Sequence, residues 1–122
     1  MGKFVLSQSI EGFRFVLENY QGEIIGISPF FSDEKSCKQG MLRVNRLAPG
    51  SKVEDKTGND RSTMAYPKYV VFKDSNDMFR YNLEDEEGQS ILLSPAYTSF
   101  KHCLDTVSAV RSITKGVTQG QR

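Results

Sequence analysis

Apolar and polar positions alternate along two short stretches of the chain that are spelled almost alike. The first, "FRFVLE", runs from Phe13 to Glu18, and the second, "FRYNLE", runs from Phe79 to Glu84. Alternation with a period of two is typical of a strand that has one face on the core. The residues expected on that apolar face are Phe13, Phe15, Leu17, Phe79, Tyr81 and Leu83. Each stretch therefore predicts a half-buried strand.

The similarity extends through both halves of the chain. A shift of 65 residues aligns Lys3 with Lys68, and from Phe13 onward the shift becomes 66. The extra residue lies in "DSND" at 74–77, a turn composition that tolerates insertion. Equivalent pairs include Gly22 and Gly88, Ser28 and Ser94, Pro29 and Pro95, and Cys37 and Cys103. The pattern predicts one pseudo-twofold domain over 1–122, with repeat 1 at 3–57, an exposed connector at 58–67 and repeat 2 at 68–119.

Each half is predicted to form three strands followed by a helix. Gly22 and Gly88 can adopt positive φ and close the turn between the second and third strands. The Ser-Pro dipeptides that follow are expected to end strand pairing, since proline lacks a backbone donor. After each helix a short segment remains, "SKVEDKT" with Val53 and "GVTQGQ" with Val117, and either segment reads as an edge strand or a tail.

Apolar residues at intervals of three and four predict the helices. Ser32 is the expected N-cap of the first helix, and Pro49-Gly50 ends it. Thr98 or Ser99 caps the second, and Gly116 ends it. The predicted buried stripes are Cys37, Met41, Val44 and Leu47 or Ala48 in the first helix, and Phe100, Cys103, Val107, Val110 and Ile113 in the second.

Composition narrows the function classes. Sixteen Lys plus Arg against fifteen Asp plus Glu give a net charge of +1, so no global field recruits nucleic acid or an anionic membrane. No apolar run approaches the length of a membrane span, and we expect a cytoplasmic protein. The two cysteines show no CxxC spacing and occupy equivalent positions, which favours packed, reduced thiols.

Motifs for catalysis are missing from the sequence. Neither GxSxG, GxGxxG nor a Walker pattern occurs, and the single histidine, His102, falls on the exposed side of its helix. The acidic run "EDEE" at 84–87 is interpreted as a solvated turn. We predict no catalytic residue, no cofactor and no metal site.

The face opposite the apolar side chains carries the candidate binding surface, Arg14, Glu18, Arg80 and Glu84. Cross-strand ion pairs on a half-solvated sheet are the simplest interpretation, and a ligand role is the alternative. Apolar residues expected on the same face, which indicate partial cover by a partner, a second copy or a ligand, are Val16, Ile24, Leu92, Val70 and Phe72. An RNA-binding platform needs aromatic residues here, whereas the strand aromatics share the face of Leu17 and Leu83.

The stretches "GFRFVLENYQGEIIGIS" and "NRLAPGSKVED" (Asn45 to Asp55), in a tandem arrangement, resemble the YegP-like family of small bacterial proteins. The resemblance implies an α+β fold in which two β-β-β-α-β repeats form one shared antiparallel sheet, with two helices on one face. It also implies that the last strands are exchanged, so that Val53 pairs with the second half and Val117 with the first. The family supplies no established activity and no catalytic residues.

The sequence predicts a small soluble protein that acts as a non-enzymatic binding or protein-interaction module, is monomeric and has no membrane partner. A nucleic-acid or small-anion binder that uses the exposed sheet face is the alternative. Salt-dependent binding of polyanions would favour that alternative.

Overall fold

The computed structural model describes residues 2–59 and 62–117, and it has the α+β architecture predicted from the sequence. The elements in chain order are β1 (Lys3–Ser9), β2 (Gly12–Glu18), β3 (Ile24–Ile27), α1 (Glu34–Leu47), β4 (Lys52–Asp55), β5 (Lys68–Lys73), β6 (Phe79–Glu84), β7 (Ser90–Leu93) and α2 (Phe100–Val117).

The strands form one seven-stranded sheet in the order β1-β2-β3-β7-β6-β5-β4. Adjacent strands are antiparallel except β4 and β5, which are parallel. The two halves meet where β3 pairs with β7, with Ile27 opposite Leu93. The strand after α1 also crosses into the second half, because Val53 of β4 lies opposite Tyr69 of β5. This is the pairing that the family resemblance implies for Val53.

The predictions for the end of the second helix are wrong. Helix α2 continues through Gly116 to Val117, so Gly116 does not stop it and Val117 lies in the helix instead of a strand. A glycine inside a helix costs roughly 1 kcal/mol, and neighbouring turns that remain favourable can absorb that cost. The rest of the predicted segment, 118–121, lies outside the described residues.

One core fills the space between the sheet and the two helices. Its fully buried members include Phe15, Leu17, Tyr81 and Leu83 from the strands, as predicted. Helix residues in the same core include Cys37, Val44, Cys103, Val107, Val110 and Ile113. Both helices therefore cover the same face of the sheet, and the opposite face has no helix among the described residues.

Two buried tyrosines join the halves. The Tyr81 hydroxyl donates to the carbonyl oxygen of Ile25 at 2.5 Å, and the Tyr69 hydroxyl donates to that of Ala48 at 2.7 Å. Their rings are in edge contact, with centroids 5.8 Å apart. Each hydroxyl satisfies a buried carbonyl of the first half, so these hydrogen bonds connect the halves inside the core.

The Ser-Pro dipeptides end strand pairing by a route that the sequence did not reveal. The backbone N–H of Phe15 donates to Ser28 Oγ at 2.9 Å, and that of Tyr81 donates to Ser94 Oγ at 2.8 Å. Each serine hydroxyl donates in turn to the carbonyl of the following proline, at 2.7 Å in both halves. The buried serine side chains thus take the place of a ladder hydrogen bond.

The turns and helix starts agree with the sequence in part. Gly22 and Gly88 have φ of 81° and 80°, as predicted. Ser32 is not the N-cap of α1, because Asp33 Oδ1 accepts from the backbone N–H of Ser36 at 2.7 Å. At α2 the capping residue is Ser99, whose Oγ accepts from the N–H of His102 at 3.0 Å.

The prediction that Leu92 faces away from the helices is wrong. The β6–β7 register shifts between Leu83 and Glu84, which places Leu92 opposite Leu83 on the core face and turns Leu93 outward. Leu92 is fully buried beside Gly26, where an added Cβ would lie 2.8 Å from Leu92 Cδ2. Gly26 is the sequence equivalent of Leu92, so the larger residue fills the space that the smaller one leaves.

The connector is exposed at 58–59 and 62–66 and half-buried at Pro67, and it is anchored to β4 and β5. Glu54 accepts from the backbone N–H of Met64 at 3.0 Å and from Lys68 Nζ at 2.6 Å. Lys56 Nζ lies 2.8 Å from the other carboxylate oxygen. Glu54 and Lys68 are only 4% and 5% exposed, so this ion pair is buried beneath the connector.

We expect truncation on the two sheet faces to have unequal effects. Phe15→Ala should lower the free energy of unfolding by about 3 to 5 kcal/mol, because it leaves a cavity in the core. Arg14→Ala should cost less than about 1 kcal/mol, since the side chain is half-exposed and makes no ion pair among the described residues. Urea unfolding of both variants measures the difference, and equal costs would contradict the assignment of the faces.

A second prediction concerns acid stability. Hydrogen bonds from Lys56, Lys68 and the Met64 backbone lower the pKa of Glu54 from 4.5 to about 2. Because the folded-state pKa is depressed, Glu54 contributes stability above pH 4.5 that is lost as the pH falls toward about 2. The free energy of unfolding, measured across this pH range, should depend less steeply on pH in Glu54→Gln than in the wild type. The matched control Glu18→Gln should keep the wild-type slope, and an unchanged slope in Glu54→Gln would refute the assignment.

Candidate functional site on the helix-free sheet face

A row of side chains crosses the helix-free face in register. Directly paired residues follow one another across the seven strands in the order Val5, Val16, Ile27, Leu93, Asn82, Val70 and Glu54. Five of them are aliphatic, and we call Val5, Val16, Ile27, Leu93 and Val70 the aliphatic row. All five are only half-buried. The strand pairing therefore gathers apolar residues from both halves into one surface row, which Asn82 interrupts between Leu93 and Val70.

All four residues of the predicted surface, Arg14, Glu18, Arg80 and Glu84, lie on this face, but they do not pair with one another. Positions four apart on one strand are about 13 Å distant, which is too far for contact. The direct neighbour of Arg14 on β1 is Ser7, and that of Glu18 is Lys3. The structure therefore separates the arginines from the glutamates, and each must be considered in its own surroundings.

Arg80 forms an ion pair with a carboxylate from the β5–β6 turn. Its Nε donates to Asp74 Oδ2 at 2.6 Å, and Asp74 Oδ1 accepts from the backbone N–H groups of Asn76 and Met78. The hydrogen bond from Arg80 is the main reason that the pKa of Asp74 is lowered. The guanidinium is thus neutralised by a partner that the turn itself fixes.

Arg14 occupies the equivalent place in the first half without a carboxylate. At the shift of 65 that aligns β1 with β5, the equivalent of Asp74 is Ser9. The Arg14 guanidinium instead lies 5.0 Å from the ring centroid of Phe30, which is 42% exposed. The residue equivalent to Phe30 is Ala96. Arg14 and Phe30 therefore form a cation–π pair, which we call the open pair because Arg14 has no carboxylate partner among the described residues. In the sequence, only alignment of the two halves shows that the carboxylate is replaced there.

The acidic run is less solvated than predicted. Burial raises the pKa of Glu84, whose cross-strand neighbour Lys68 is bound to Glu54. Asp85 is fully buried, and burial acts to raise its pKa, but hydrogen bonds from two backbone N–H groups and from Arg43 outweigh burial and lower it. Glu86 pairs with Arg46 at 2.9 Å. Asp85 and Glu86 therefore fasten the β6–β7 turn to α1, while Glu86 and Glu87 stay exposed as the sequence predicts.

Aromatic residues do not make a base-stacking platform along the central strands. Phe15 and Tyr81 are fully buried on the helix side of the sheet. On the helix-free side the aromatic residues include Phe72, which lies opposite Arg80, Phe30, and Tyr66, whose ring centroid is 4.5 Å from Lys68 Nζ. The face is therefore mainly aliphatic along its centre.

The sulfur and imidazole groups lie in the helices. Cys37 and Cys103 are free and fully buried, and burial raises the pKa of Cys103 to about 11. His102 is exposed, with its ring centroid 4.5 Å from that of Tyr97. In the part of the chain that the structure describes, no three His, Cys, Asp or Glu side chains lie close enough together to hold a metal ion. Over the same residues, no helix is long and apolar enough to cross a membrane.

Both thiols should react slowly with a thiol reagent in the native protein. Burial excludes the reagent and raises both pKa values, which suppresses the reactive thiolate. Native labelling followed by mass spectrometry should give little adduct until denaturant is added. Rapid modification of Cys37 or Cys103 without denaturant would contradict the packing described above.

Comparisons with known proteins return uncharacterised relatives. A family model described as "Domain of unknown function (DUF1508)" matches residues 9–55. The solution structure of yegP from E. coli, a protein of unknown function, is similar with a TM-score of 0.75 and 25% identity, covering 93% of this chain and 86% of that one. A UPF0339 protein from Shewanella oneidensis has the same fold, with a TM-score of 0.75, 23% identity, and coverage of 93% and 85%. No curated protein gives a significant match.

Proposed function

We propose that this chain, whose resemblance to the YegP-like family is confirmed by these matches in sequence and in fold, is a non-enzymatic protein-interaction module. It binds a partner protein through the helix-free face of the sheet. The observation that carries the proposal is the aliphatic row, which crosses the sheet in register and stays half-exposed.

An aliphatic row on an uncovered sheet face favours association. Side chains from separate strands form one apolar strip, and burial of such a strip against another protein releases water from it. A purely solvated face would instead alternate polar residues along its strands. Val16 and Ile27 lie side by side on β2 and β3, within the unbroken stretch of the row from Val5 to Leu93.

The charged side chains beside the aliphatic row indicate which charge the partner should carry. In the second half, Lys68 and Arg80 are neutralised by Glu54 and Asp74. Arg14 has no carboxylate partner among the described residues and lies against Phe30. A partner with an apolar surface and one carboxylate placed over Arg14 would complement both features, since a charged group that loses water on binding needs an opposite charge.

Binding of a nucleic acid or small anion is the second candidate, and the open pair of Arg14 and Phe30 favours it. Cations and exposed aromatic rings together bind single-stranded nucleic acid. However, affinity for nucleic acid comes largely from many phosphate contacts, and the net charge is only +1. Because Lys68 and Arg80 already form ion pairs with Glu54 and Asp74, fewer cationic side chains are left to contact phosphates. The aliphatic row therefore makes protein the better-supported partner.

Site-specific photo-crosslinking in cells tests the proposal. A photoreactive residue at Val16 should give a discrete adduct with one partner protein. The same group at Gln39, which is exposed on α1, should not give that adduct. Equal adducts from both positions would overturn the proposal, as would adducts at Val16 that are removed by nuclease.

The partner identified in this way should then be titrated with purified variants. Ile27→Asp should weaken binding about tenfold or more, because it places a charge in the apolar contact, and Gln39→Asp should have little effect. Binding should change little with salt, since most of the contact is apolar. A steep fall in affinity with salt, together with binding of single-stranded DNA, would support the nucleic-acid alternative instead.

A further inference from the structure

An open cavity lies between the β2–β3 turn of the first half and α2 of the second half, at the opposite end of the β2–β3 hairpin from the Arg14 and Phe30 pair. The cavity has a volume of about 330 Å³. Its lining comes from the β2–β3 turn and from α2, namely Asn19, Tyr20, Gln21, Ala109, Ser112 and Ile113. None of these residues belongs to the aliphatic row, so this site is independent of the proposed function.

The equivalent place in the second half is filled by ion pairs. A shift of 66 residues relates Asn19 to Asp85, Tyr20 to Glu86, Ala109 to Arg43 and Ser112 to Arg46. Arg43 Nη1 lies 2.8 Å from Asp85 Oδ2, and Arg46 Nη1 lies 2.9 Å from Glu86 Oε2. Two long side chains thus reach from α1 to the β6–β7 turn. At the cavity, Ala109 and Ser112 of α2 are too short to reach the β2–β3 turn in the same way.

The turns themselves have the same hydrogen bonds, so the cavity does not result from a different backbone. Asn19 Oδ1 accepts from the N–H groups of Gln21 and Glu23, both at 2.9 Å. Asp85 Oδ1 accepts in the same way from Glu87 at 2.9 Å and Gln89 at 3.0 Å. The exchange of two arginines for alanine and serine therefore accounts for the open volume.

The lining indicates what the cavity can hold. All six lining residues are uncharged: Tyr20, Ala109 and Ile113 supply apolar surface, and Asn19, Gln21 and Ser112 supply amide and hydroxyl groups. Glu23, the carboxylate of this turn, is already bound by Asn19 Nδ2 at 2.8 Å. A charged ligand would find no opposite charge in the lining, whereas an uncharged ring would meet apolar walls and polar groups for orientation.

We propose that this cavity binds an uncharged aromatic group with one polar substituent, of the phenol or indole kind. Tyr20 is 67% exposed and supplies a ring face for stacking, which aromatic groups favour. The hydroxyl or N–H of the guest would be oriented by Gln21 or Ser112, because Asn19 Oδ1 already accepts two hydrogen bonds within the turn. The guest is a free ring compound or a Tyr or Trp side chain of a partner, and both sources share this chemistry.

Titration of the isotope-labelled full chain with phenol and with indole, followed by NMR, tests the site. The amide signals of Tyr20, Ala109 and Ser112 should shift in a saturable way. Benzoate and benzylamine, which carry charges, should shift them much less. Larger shifts with the charged rings, or shifts spread evenly over the protein, would overturn the proposal.

A filled variant and a matched control make the test specific. Ala109→Arg restores the side chain that closes the equivalent place, and it should reduce affinity for both neutral probes at least about tenfold. Ser108→Arg adds the same charge at an exposed neighbouring position that does not line the cavity, and it should bind as the wild type does. Amide signals of the sheet should be unchanged in both variants. Wild-type binding by a folded Ala109→Arg protein would contradict the proposal.

A short peptide that contains tyrosine or tryptophan distinguishes the two sources. Tighter binding of the peptide than of phenol or indole would assign the guest to a partner's side chain. Equal or weaker binding would assign it to a free compound. Either result supports the cavity as an aromatic site, provided that Ala109→Arg abolishes it.

Discussion

Leu92 packs into the space beside Gly26 at the centre of the sheet, where the two halves of the chain meet. Only one directly paired set of residues, Ile27 and Leu93, joins β3 to β7 within the described residues. The halves are held together in addition by the pairing of β4 with β5, by side-chain packing, and by the hydrogen bonds from Tyr81 to Ile25 and from Tyr69 to Ala48. A unit of about 60 residues buries too little surface to be comfortably stable alone. A core shared by both halves increases the fraction of surface that each half buries.

This shared core lets the halves differ elsewhere. Ser28 and Ser94 make the same hydrogen bonds, and so do the turns that begin at Asn19 and Asp85. Because these backbone contacts maintain the fold, side chains around them can vary without loss of the architecture. Ion pairs cover the surface at Arg80 and at the β6–β7 turn of the second half.

The first half is open at the equivalent places. Arg14 lies on Phe30 at the position equivalent to the Arg80–Asp74 ion pair. The cavity lies at the position equivalent to the Arg43–Asp85 ion pair. Ion pairs at partly exposed positions contribute little stability, so their loss costs the fold little. The family model matches residues 9–55, which lie in this open half. Both proposed binding features therefore depend on differences between repeats more than on the fold that they share.

The sequence by itself determined three strands and one helix in each half, the face of each side chain in β2 and β6, and the positive φ of Gly22 and Gly88, but not strand β4 or the end of α2. These features follow from local periodicity and from the conformations open to single residues. Only the tertiary structure decided the orientation of Leu92, the burial of Asp85, the different surroundings of Arg14 and Arg80, and the existence of the cavity. Each of these depends on strand register or on contact between segments far apart in the chain, and local periodicity carries no information about either.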